Sequence, residues 1–182
     1  MRSILPLLVI VGILAASLAL AQPGPADQLY EGARLHVGWV NPAHFNSTVV
    51  YGGDYIWKNV LATANYFSTD GTVAGFPVDL RVWSVEGSYL FRAQGDPGLY
   101  YGAGVGYASH EFDVSGQGST TAGAVLYNLV VGKEFHQNGI FGGSVPYVEV
   151  RYNFDFGAAS LNEISLPVSG IDGFRLTAGW RF

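Results

Sequence analysis

The segment DGFRLTAGWRF at residues 172–182 decides the fold. Counting back in twos from its end gives Phe182, Trp180, Ala178, Leu176 and Phe174, all apolar. Between them stand Arg181, Gly179, Thr177, Arg175 and Gly173, all polar or small. A period of two is the signature of a β-strand with one apolar and one polar face.

The same alternation returns along the chain. Leu99, Tyr101, Ala103, Val105 and Tyr107 share one face, and Tyr100, Gly102, Gly104 and Gly106 the other. Val148, Val150, Tyr152, Phe154 and Phe156 alternate with Glu149, Arg151, Asn153 and Asp155. Breakers separate the runs: 68–71 (STDG), 93–98 (AQGDPG), 115–119 (SGQGS), Asn138-Gly139 and Gly142-Gly143-Ser144. The pattern predicts eight strands, at 31–41, 48–57, 60–68, 79–92, 98–112, 121–135, 145–156 and 170–182. Loops are expected at 42–47, 69–78, 113–120 and 157–169, and no helical period follows residue 21.

Composition says what this wall of strands faces. Charged residues are 13% of the chain and aromatics 14%, against roughly 25% charged in a soluble domain. The formal charge is −5 and no basic patch appears, which excludes nucleic acid as a partner. There is no cysteine, so neither a disulfide nor a thiolate metal site. Residues 1–21 carry Arg2, then an apolar run ending Ala19-Leu20-Ala21. That is a secretory leader, with cleavage expected between Ala21 and Gln22 and residues 22–182 forming one domain.

Periodicity alone leaves inside and outside open. A soluble, lipocalin-like barrel or a sandwich turns the apolar face inward; a membrane barrel turns it outward. Glycines 102, 104 and 106 on one face suit a crowded lumen, where they leave room for long side chains. Charges on the apolar face, Lys133, Asp79 and Arg81, fall at strand ends. The membrane arrangement is therefore expected: an all-β, eight-stranded, antiparallel, up-and-down transmembrane barrel.

These features together resemble the small eight-stranded outer-membrane β-barrel proteins, the group that includes the transmembrane domain of outer membrane protein A and outer membrane protein X. YYGAGVGY (100–107) resembles their Gly-rich strand, PYVEVRYNF (146–154) the penultimate one and GFRLTAGWRF (173–182) the closing one. The resemblance implies residence in the cell outer membrane among lipid and lipopolysaccharide. It also implies assembly by the outer-membrane barrel machinery, which would read Phe174, Leu176, Trp180 and Phe182. It implies no single activity and no particular surface ligand.

The strand phase turns Arg34, Asp54, Glu86, Glu134, Glu149, Arg151, Arg175 and Arg181 inward, with His36. In a lumen filled by side chains, opposite charges should pair. Glu149, Arg151, Glu134 and Arg34 are expected to meet near the periplasmic end. Such pairs hold the barrel shut, or form a gate for ions or small solutes. Enzyme chemistry is not expected. His36, His44, His110 and His136 lack metal-ligand spacing, and His110 is placed at the extracellular rim. No catalytic, cofactor or metal residue is assigned. Glu111, Asp113, Glu163 and Asp172 are read as solvated loop charges. The functional classes left are a structural or surface-interaction barrel and a narrow channel.

Overall fold

The computed structural model describes residues 31–96, 98–135, 144–157, 159–161, 164–167 and 173–182. The leader with Ala19, Ala21 and Gln22, His136, the breakers at 138–143, Glu163 and Asp172 lie outside those residues.

Seven strands follow one another: β1 (Gly32–Asn41), β2 (Thr48–Trp57), β3 (Val60–Val73), β4 (Phe76–Arg92), β5 (Leu99–Val114), β6 (Gly118–Glu134) and β7 (Val145–Phe156). A small hairpin, β8 (Ala159–Leu161) with β9 (Ile164–Leu166), precedes the last strand, β10 (Phe174–Arg181). β1 to β7 and β10 form a closed antiparallel barrel in which β10 zips to both β1 and β7. The end that holds the start of β1 and the end of β10 is periplasmic by the topology of such barrels.

β4 shows how the sequence sorts its faces. Trp83, Val85, Tyr89 and Phe91 point out and stay exposed, while Ser84, Glu86 and Ser88 point in and are buried. Exposed apolar side chains continue around the wall, as Leu35 at 62%, Tyr127 at 53% and Phe182 at 67% exposure illustrate. A contiguous apolar belt of this extent is a surface for lipid. Aromatics edge it: Tyr51, Tyr66, Trp83, Tyr107 and Phe156 at the outer side, Tyr55, Trp57, Tyr89 and Trp180 at the periplasmic side. From Trp83 to Phe91, at about 3.3 Å per residue and a tilt near 40°, the belt is roughly 20 Å tall, close to the ~25 Å band of such barrels.

Four strands run past the belt. β3 to β6 extend outward through Val73, Phe76, Val114 and Gly118, so most of the loops expected at 69–78 and 113–120 are strand. The turns shrink to Ala74-Gly75, both in left-handed conformation, and 115–117. The breaker at 68–71 stays extended because the 42–47 loop laces onto its free edge. Asn46 N–H donates to the Asp70 carbonyl at 2.9 Å, Thr69 Oγ1 donates to the Asn46 carbonyl at 2.6 Å, and Phe45 bridges to Gly71. A Cβ on Gly71 would meet the Phe45 ring at 2.8 Å, so the glycine serves close approach and not a turn.

In this projecting part the face polarity inverts. Asp70, Asp79, Arg81, Glu111 and Asp113 point outward. Inside lie Phe67, Val78, Leu80, Val82, Phe112 and Val114, joined by Phe45 from the loop and Leu166 from β9. The outer section is built as a soluble barrel is, and the inversion marks the edge of the membrane. A smaller apolar cluster, Ile56, Leu61, Leu90, Tyr100 and Val130, closes the periplasmic end.

Gly104 sits where a Cβ would strike the Gly87 carbonyl of β4, so β5 packs against its neighbour without side-chain clearance. The boundary is testable by charge insertion. Val105→Arg, in mid-belt opposite Gly87, should lower unfolding stability in lipid vesicles by about 2–4 kcal/mol, whereas Ser68→Arg above the belt should cost at most about 1 kcal/mol, both read by denaturant titration.

Candidate functional site

Between the two apolar clusters the lumen is polar. Every side chain there is delivered by alternate positions of a strand: Arg34 and His36 on β1, Asp54 on β2, Thr63 and Asn65 on β3, Glu86 on β4, Glu149, Arg151 and Asn153 on β7, and Arg175 on β10. All are buried.

Glu86 is the centre. Arg151 and Arg175 are register partners on neighbouring strands, an arrangement in which like charges repel. Glu86 reaches across from the other wall and takes one guanidinium on each carboxylate oxygen, Arg151 Nη1 on Oε2 and Arg175 Nη2 on Oε1, both at 2.6 Å. Asn65, Ser84 and Asn128 donate further hydrogen bonds to it at 3.1, 3.1 and 3.2 Å. Charge-assisted bonds of this kind are about twice as strong as neutral ones.

A second knot centres on Arg34. It donates to Glu149 Oε2 at 2.9 Å and to the Tyr100 hydroxyl at 3.0 Å, and pairs with Asp54 at 3.2 Å. Its guanidinium carbon lies 3.6 Å from the Tyr147 ring centroid. Tyr100 and Tyr147 in turn donate to Glu149 and Asp54 at 2.8 and 3.0 Å. Arg151 joins the two knots, since its Nη2 also donates to Glu149 Oε1 at 2.7 Å. His36 faces two acceptors, Asp54 Oδ2 at 3.2 Å and Asn65 Oδ1 at 2.9 Å.

Two of these links cross the full diameter. β4 lies opposite β10 in the ring, and β5 opposite β1. Glu86–Arg175 therefore spans one diameter and Arg34–Tyr100 another.

The arrangement departs from the sequence-based grouping in three places. Glu134 does not join Arg34, Glu149 and Arg151; it pairs with Arg181 at 3.1 Å, at the periplasmic end, because the register of β10 and β7 sets Arg181 below the others. His110 is not at a solvated rim. It is fully buried, because β5 continues past it to Val114. Asp155 is a further inward, buried carboxylate that the strand phase of 148–156 already implied. Among the described residues no group of three or more His, Asp or Glu side chains is placed to hold a metal ion. Outside the belt, at the periplasmic turn between β4 and β5, Lys133 donates to the half-buried Asp96, as does the Gly98 N–H at 3.0 Å. Both hold its carboxyl below the usual carboxylate range.

No family model matches the chain, and no curated protein matches its sequence. Solved structures match in shape. Neisserial surface protein A superposes with a TM-score of 0.50 at 14% identity, over 83% of this chain and 94% of that one. The N-terminal β-barrel domain of Pseudomonas aeruginosa OprF gives 0.48 at 14% identity, over 84% and 100%. Ail, the attachment invasion locus protein of Yersinia pestis, in complex with the heparin analogue sucrose octasulfate, gives 0.48 at 15% identity, over 85% and 100%. At such identity the likeness to the first is one of fold, that of the small outer-membrane barrels.

Removing one partner of a buried pair strands the other. Glu86→Gln should destabilise the barrel by about 3–5 kcal/mol. Removing the exposed Arg81–Glu111 pair by Arg81→Ala should cost no more than about 1 kcal/mol in the same denaturant titration.

Proposed function

We propose that the chain is a resident of the cell outer membrane with a structural or surface-interaction role, not a conduit. The observation that carries this reading is the pair of diametric links, Glu86–Arg175 and Arg34–Tyr100, lying between two apolar clusters. A conducting pore needs a continuous column of water, and here bonded side chains span the lumen while packed apolar side chains occupy it on either side. The narrow-channel alternative would require the guanidinium groups to leave their carboxylates while still buried, which is costly. A soluble binding barrel is disfavoured by the exposed aromatic and aliphatic belt.

On this reading the leader 1–21 is removed at Ala21-Gln22. The assembly machinery then engages the outward residues Phe174, Leu176, Trp180 and Phe182. Belt residues meet lipid, and the outer rim meets lipopolysaccharide. Any partner contact falls on the projecting section of β3 to β6, whose outer face is charged. No catalytic role is assigned to the lumen, because its carboxylates and guanidiniums are committed to each other.

The first experiment is expression of the full chain in a Gram-negative host, with outer membranes run unheated beside boiled on a detergent gel. A mobility shift in the outer-membrane fraction is expected; a single unshifted band in soluble periplasm would overturn the location. Purified protein in planar bilayers should show no unitary current steps. Arg151→Ala should lower stability and leave the bilayer silent. Steps from the unsubstituted barrel would restore the channel reading.

A further inference from the structure

The projecting section holds a buried group that the membrane barrel does not use. His110 is fully buried, and neither ring nitrogen has a hydrogen-bond partner. The Ala122 backbone is the polar group that bears on it, without a hydrogen bond forming. Its register partners are Val82 on β4 and Ala122 on β6. Phe112 stacks on it with ring centroids 6.4 Å apart, and Phe45 packs on Phe112 at the same separation.

The charged groups around this compartment can be placed by element. At its level β4 and β5 carry Arg81 and Glu111, which point outward and pair with each other at 3.3 Å. Asp79 and Asp113 also point outward, and so does Asp70 on β3. On the 42–47 loop His44 is exposed. The inward carboxylate of β7, two strands from His110 in the ring, is Asp155. The outward charges also mean that the outer face of this wall meets water.

An apolar enclosure disfavours the charged imidazolium. A histidine kept neutral by burial is a liability in acid. Below its ordinary value of about 6.5, an open state that hydrates the ring gains a proton that the closed state does not, and the balance moves toward opening. The strands cannot yield cheaply, because each is locked in the closed ladder. The 42–47 loop can. It is held by its lacing to Thr69 and Asp70 and by one isolated bridge, and its Phe45 is the stopper over Phe112.

We infer that the outer compartment is an acid-responsive cap, in which protonation of His110 releases the Phe45 loop while the membrane barrel below stays closed.

The chain has no cysteine, so one thiol can report on the compartment. Val114→Cys places it inside, where Val114 is buried, and Ser119→Cys gives an exposed reference. Labelling with 4,4′-dithiodipyridine, which stays thiol-reactive in acid, is compared in detergent at about pH 7 and about pH 4.5, either side of the ordinary histidine value. The Val114→Cys rate, relative to the reference, should rise about tenfold or more in acid, one such factor for each unit of linkage. Adding His110→Leu should abolish the rise. A rise that is absent, or that persists with His110→Leu, overturns the inference. Should the double variant lose its unheated-gel shift, backbone hydrogen exchange on the unsubstituted chain decides instead. Acid-enhanced exchange confined to 42–47 and its edge on β3 supports the cap; uniform or unchanged exchange rejects it.

Discussion

Hydrocarbon offers the backbone no hydrogen-bond partner, and the rest of this structure follows from that. Each N–H and C=O in the belt has to bond to a neighbouring strand, so the sheet has to close on itself, and β10 does this by pairing with β1 on one side and β7 on the other. With eight strands the enclosed space is about as wide as two side chains meeting. Arg34, Glu86, Glu149, Arg151 and Arg175 are thus pressed together, with only one another and the neighbouring polar side chains to bond to. Their pairing is a consequence of closure as much as a cause of stability. It explains why Glu86 has to accept two guanidiniums: β7 and β10 bring Arg151 and Arg175 side by side.

The second constraint is where the hydrocarbon stops. Along β4 the outward series runs Asp79, Arg81, then Trp83, Val85; the inward series runs Val78, Leu80, Val82, then Ser84, Glu86. Both change character at the same place. A strand that leaves lipid for water has no further use for an apolar outer face and needs an apolar inner one. A single closed sheet therefore contains two kinds of barrel, stacked end to end.

Much of this was legible in the residues. The phase of each strand and the count of barrel strands follow from alternation, and the inward set from Arg34 to Arg181 follows once the charges exclude the opposite orientation. Strand ends were less legible. Ser68, Thr69, Asp70 and Gly71 are turn formers by composition, and what keeps them extended is a loop that is distant in sequence: Asn46 meets Asp70 across 24 positions. Pairing partners were not legible either. Arg175 finds Glu86 from 89 positions away, and Glu134 takes Arg181 and not Arg34. Which acid meets which base depends on register around the ring, and alternation carries no register.

The links across the lumen also bear on how the barrel can be made. Arg34 lies on the first strand and its carboxylate partner Glu149 lies 115 positions later, so the bond cannot form until nearly the whole chain is in place. Until β7 and β10 dock, Arg34 of β1 has the Asp54 carboxylate of its neighbour β2 but lacks Glu149, and Glu86 of β4 lacks both of its bases. A half-inserted sheet would thus expose unpaired charge beside hydrocarbon and has little reason to persist. Contacts this remote in sequence make for slow, late-committing folding. The electrostatic interior therefore acts as a latch: it gives little to early intermediates and releases most of its stabilisation late, as the last two barrel strands close the ring.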